Sequence, residues 1–141
     1  MEDRLKMQIL SKPENEGFAR AVVAAYITRL NPTIDEINDV KTAVSEAVTN
    51  AVVHGYGTEE GVIDMEIIIK ENTVSVKVQD FGEGIDNVEQ AREPLFTTRP
   101  EEERSGMGFT FMEIFMDSLT VESKKGEGTV VHMSKNIKGG K

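Results

Sequence analysis

The sequence contains no cysteine, only two histidines (His54 and His132), and no apolar run long enough to cross a membrane. Without cysteine, disulfides, thiolate nucleophiles and zinc–thiolate sites are excluded. Two histidines are too few for a histidine-based metal cage. Basic residues are also scarce. Sixteen Lys and Arg stand against twenty-five Asp and Glu, a net charge of −9 over 141 residues. That balance argues against a general phosphate-backbone binder and permits a basic protein partner. The first residues, MEDRLKMQIL, are charged and lack the hydrophobic region of a signal peptide. There is no GxxxxGK[ST] phosphate loop. The expectation is one domain spanning residues 1–141, cytoplasmic, with no nucleic-acid or membrane contact.

What is present is a regular order of elements. Arg4 to Leu10 alternates, with Leu5, Met7 and Ile9 on one side, and suits an edge strand. Glu16 to Leu30 has helical spacing. Phe18, Ala21, Val22 and Ala25 form one stripe, and Val23, Ala24 and Ile27 a second apolar side beside Arg20. A helix apolar on two sides is buried on both or lent to a partner. Thr33 and Glu36 have the spacing of a capping box, opening a helix from Ile34 to His54 that Gly55 and Gly57 stop. Val62–Lys70 and Thr73–Gln79 read as a hairpin turned at Glu71-Asn72. Residues 87–105 show no period and read as a functional loop. A helix over Gly106–Met116, strands over Ser118–Ser123 and Thr129–Ser134, and a frayed tail over 137–141 complete the chain. The order β-α-α-β-β-loop-α-β-β predicts an α+β fold. It is a two-layer α/β sandwich with a mostly antiparallel sheet and helices on one face.

Three motifs carry chemistry. In the helix containing SEAVTNAVVHGY, Glu46, Asn50 and His54 form one row at a spacing of four, along the edge of the apolar face. A carboxylate and an amide one turn apart can hold a metal-bound phosphate ester; the row alone equally fits an ordinary wet flank. Asp80-Phe81-Gly82-Glu83-Gly84 follows a strand. Glycines spaced by two let backbone approach a flat ligand, and a strand-end carboxylate can accept a hydrogen bond from an exocyclic amine. D-x-G is also common turn chemistry. Ser105-Gly106-Met107-Gly108 opens a helix, where unobstructed amides bind anions, and Arg104 adds charge beside them. This is not a dinucleotide fingerprint, because Phe111 stands where a third glycine should. Nor does DFG signal a eukaryotic-type protein kinase, since HRD, VAIK and GxGxxGxV are all missing.

In this fixed order the motifs resemble the GHKL ATPase superfamily, whose nucleotide-binding domain has the Bergerat-type fold. EAVTNAVVHGY, VQDFGEGI and RSGMGFTFME look like the small anti-sigma factors that are also serine-protein kinases. The resemblance implies ATP or ADP and Mg2+ as cofactors. It implies Glu46 as general base and Asn50 as the magnesium ligand. Asp80 would read the adenine amine, with Gly82 and Gly84 letting the base lie close. Gly106 and Gly108 match glycines at the end of a lid spanning roughly 93–105. Arg104, Ser105 and Met107 flank them at the phosphates, and Thr129 supports adenine. The resemblance implies a sporulation sigma factor as partner, a serine phosphorylated on an anti-anti-sigma protein, and a homodimer. An anti-sigma module without kinase activity and a simple GHKL ATPase are the alternatives. Arg20, Val23 and Ile27 are the expected partner-binding residues. No role follows for His54.

Overall fold

The computed structural model describes residues 2–85, 87–93 and 108–140. Five strands form one sheet in the order β1-β2-β3-β5-β4, with β1 Glu2–Leu10, β2 Val62–Lys70, β3 Thr73–Asp80, β4 Ser118–Lys124 and β5 Gly128–Asn136. Every pairing is antiparallel, so the sheet goes beyond the mostly antiparallel expectation. Alternation sets the faces. Ile63, Met65, Ile67 and Ile69 of β2, and Val74, Val76 and Val78 of β3, turn to the helices and are buried. Each such side chain contributes on the order of 2 kcal/mol by leaving water.

Among the described residues the α-helices are α1 (Asn15–Ile27), α2 (Ile34–Asn50), α3 (Val88–Ala91) and α4 (Gly108–Phe115). They cover one face of the sheet. The α2 helix begins at the expected capping box. Thr33 accepts the Glu36 amide at 3.1 Å, and Glu36 accepts the Thr33 amide at 2.9 Å. Its Val40, Ala43, Val44, Ala47 and Val48 are almost wholly buried, and it packs between α1 and α4. The last turn widens into a π-helical segment, Ala51–Tyr56, and ends at Gly57 with φ 62°.

Three expectations are corrected. Only one of the two apolar sides of α1 is buried, and it is the side expected to meet a partner. Ala19, Val23 and Ile27 are fully buried, whereas Phe18, Ala21 and Ala25 are exposed. Val23 and Ile27 are therefore core residues and cannot meet a partner, because the row at spacing four faces α2 and the sheet. Arg20 remains at the surface, 3.5 Å from Glu16. The tail is not frayed. Ile137 is buried and donates its amide to Asn72 O at 2.7 Å. Lys138 and Gly139 donate to the Glu36 carboxylate at 2.7 and 3.0 Å. That carboxylate thus serves the cap and the tail together. The Thr33 amide, with those of Lys138 and Gly139, holds it below the usual carboxylate range. Finally, residues 87–105 are not all loop, since Asn87 caps the short α3 through the Gln90 amide at 3.0 Å.

Candidate active site

One wall of the site is α2. Glu46 and Asn50 stand one turn apart, half-buried, beside the buried Ala47 and Ala51. The first residue of α4, Gly108, faces them. A Cβ there would lie 3.1 Å from Asn50 Nδ2 and 3.2 Å from both Asn50 Oδ1 and Glu46 Oε2. Glycine keeps that approach open, and α2 meets α4 with the carboxylate and the amide directed at the same backbone.

The opposite wall is the end of β3 and the loop after it. Asp80 lies across the sheet from Thr129 of β5 and Ile63 of β2. Only 5% of it is exposed. Its carboxylate accepts the Gly82 amide at 3.0 Å and the Thr129 backbone amide. Burial outweighs both and pushes the carboxyl up to about 6. The π-helical turn makes room for it. A Cβ at Gly55 would come within 2.7–2.9 Å of the Asp80 carboxyl, and the Gly55 carbonyl accepts the Glu83 amide at 2.8 Å. Gly82 packs directly on that carbonyl, where a Cβ would overlap it. π-Helical turns are rare and recur at functional sites; here one brings the end of α2 against the loop.

On the far side, Ser123 Oγ accepts the Ile85 amide at 2.7 Å and donates to Gly128 O at 2.9 Å. Its one proton is then used, so the Thr129 hydroxyl, 2.8 Å away, donates to it. Gly84 has φ 76° and lies against the Lys124 carbonyl. The loop is thus pinned to the β4–β5 turn.

Between the walls lies a cleft of 560 Å³. Of the expected residues, Asn50, Asp80, Gly84, Gly108 and Thr129 line it. Glu46 stands just behind Gly108, and Gly82 behind Gly55. Arg104, Ser105, Gly106 and Met107 lie outside the described residues, as does the expected lid beyond Glu93. His54, Gly55, Lys125 and Gly126 also line the cleft. Sequence reasoning treated Gly55 as a helix stop and gave Lys125 and Gly126 no role. The available signal was glycine at each place where backbone meets backbone. Among the described residues no group of three or more His, Asp or Glu could hold a metal ion, and no helix is long and apolar enough to cross a membrane.

Residues 9–135 match the family model described as a histidine kinase-like ATPase domain. The chain is 57% identical over 137 residues to the anti-sigma F factor of Clostridium beijerinckii, covering 96% of each. It is 55% identical over 138 residues to the anti-sigma F factor of Clostridium perfringens, covering 97% of this chain and 99% of that one. It is also 55% identical over 133 residues to the anti-sigma F factor of a Thermoanaerobacter species, covering 94% and 93%. A wall of carboxylate and amide on a helix, a buried aspartate at a strand end and these likenesses agree: the chain belongs to the histidine kinase-like ATPase domain family, in the branch that includes the anti-sigma F factors.

Proposed function

We propose that this chain is an anti-sigma factor of one domain that sequesters a sporulation sigma factor. We propose further that, with Mg-ATP, it phosphorylates a serine of an anti-anti-sigma protein. The observation that carries the enzymatic half is the single cleft bounded by Asn50 and Gly108 on one side and by Asp80, Gly84 and Thr129 on the other. Asp80 offers a buried acceptor to the exocyclic amine of adenine. The Asn50 amide oxygen offers one neutral ligand to magnesium, which suits an ion that keeps waters and phosphate oxygens as its other ligands. Magnesium, when bound, neutralises charge on the phosphates. Glu46, behind Gly108, takes the proton of the serine hydroxyl as that oxygen bonds the γ-phosphorus and the bond to the bridging oxygen breaks, leaving ADP. Gly106, Arg104, Ser105 and Met107 are assigned to the phosphate end on resemblance alone.

Sequestration is supported by the anti-sigma F names of the relatives. Val23 and Ile27 are buried, so of the three expected partner-binding residues we assign only the surface Arg20 to contacts with a sigma factor, an anti-anti-sigma protein or a second copy of the chain in a homodimer. The test incubates the purified protein with γ-labelled ATP, magnesium and an extract of its own organism. Acid-stable label on one small protein is the expected result. Bound ATP with no labelled protein would reduce the function to sequestration, with the nucleotide as a conformational ligand.

A further inference from the structure

Tyr56 ends the stretch that begins at Ser45, and the proposed chemistry gives it no task. Its surroundings do. The ring lies on Gly61, where a Cβ would overlap it. The hydroxyl sits 2.5 Å from Val62 O and 2.8 Å from Phe81 N. A carbonyl can only accept and an amide only donate, so the phenol donates to Val62 and accepts from Phe81.

The Phe81 N–H belongs to the same rigid plane as the Asp80 carbonyl and the Asp80 Cα. The other edge of that plane is held as well. Gly128 packs on the Asp80 carbonyl so closely that a Cβ would overlap it. The Asp80–Phe81 peptide is gripped by a phenol on one edge and by a glycine on the other, and the Asp80 side chain leaves from its corner.

We propose that Tyr56 is a positioning residue for base selection. Its hydroxyl fixes the Asp80–Phe81 peptide, and so holds the Asp80 carboxylate where an amine-bearing purine can donate to it. The proposal rests on the reading of Asp80 as the base acceptor. Tying the end of the π-helical turn to β2 needs only the bond to Val62 and the packing on Gly61. The second bond goes to the residue after Asp80, where it controls the one side chain that distinguishes an amine from a carbonyl. A carboxylate displaced by a few tenths of an ångström loses the distance and angle a hydrogen bond requires.

Tyr56→Phe keeps the ring and removes only the hydroxyl. The full-length variant is titrated by calorimetry with ADP and with inosine diphosphate, which carries a carbonyl in place of the amine. ADP should bind roughly five- to tenfold more weakly, inosine diphosphate should change little, and the preference should shrink accordingly. A lowered unfolding midpoint with an unchanged preference would mean a merely structural tyrosine and would overturn the proposal. Asp80→Asn, measured alongside, separates the two layers. If it leaves the preference intact, the base-acceptor reading fails and the proposal with it. If it collapses the preference while Tyr56→Phe does not, only the proposal fails. Should Tyr56→Phe not fold, amide exchange in the nucleotide-free wild type decides. Phe81 N–H should be protected, and free exchange at that amide overturns the proposal.

Discussion

The two walls of the cleft are built in opposite ways. The α2 wall is local: one helix, one capping box, and a polar row set beside an apolar face by the 3.6-residue repeat. The Asp80 wall is assembled from four distant segments. Tyr56 and Gly55 come from the π-helical turn, Ser123 from β4, Gly128 and Thr129 from β5, and the loop itself supplies Gly82 and Gly84. On the first wall, side-chain chemistry can change while the backbone stays. On the second, backbone fit and ligand fit are the same thing.

Glu46→Gln should give the largest effect and the cleanest separation. Phosphoryl transfer should fall by about 10²- to 10⁴-fold, with ADP affinity within about twofold of wild type. An equal loss of ADP affinity would show that the helix wall, too, binds and reacts through one geometry. Gly82→Ala is the counterpart on the loop wall. Its methyl overlaps the Gly55 carbonyl, so ADP binding should drop by more than about tenfold and the unfolding free energy by about 1–3 kcal/mol. Normal stability combined with lost binding would break the comparison.

Asp80→Asn sharpens it. The ordinary carboxyl value is 3.8, and the folded one is about 6. A raised carboxyl favours the folded state most below its unfolded value, and that contribution is lost as pH rises through 6. At neutral pH the protein therefore carries a buried charge at a cost on the order of 2–3 kcal/mol. The asparagine removes the charge. The nucleotide-free variant should unfold a few degrees higher at pH 7.5, with the gain fading towards pH 5, while ADP affinity falls roughly tenfold or more. A lower midpoint at pH 7.5 would mean that the ionised carboxylate is net stabilising there. Thr33→Ala should have the smallest effect. Loss of the cap should cost about 1 kcal/mol by denaturant unfolding, with ADP affinity unchanged, because the helix wall transmits little from its far end to the cleft.

The legible parts of the sequence were those fixed by short-range rules. Alternation in Val74, Val76 and Val78 placed β3, and Thr33 with Glu36 placed the start of α2. Glu46 and Asn50 share a helix edge whatever else the chain does. Asp80 at a strand end was also readable, as a candidate. Which face of α1 is buried was not. Phe18, Ala21, Val22 and Ala25 form as good an apolar stripe as Ala19, Val23 and Ile27, and only the position of α2 and the sheet chose between them.

By itself, then, the sequence determined the elements, the cap, the polar row and the glycines, since these follow from backbone periodicity and from single-residue conformational preference. Tertiary structure decided what those groups meet. It set Gly55 against Asp80, Ser123 on the loop amide, Tyr56 on the Asp80–Phe81 peptide and the C-terminal tail on Glu36. Each of these joins residues far apart in the chain. Each depends on strand register and helix docking, which no local pattern encodes.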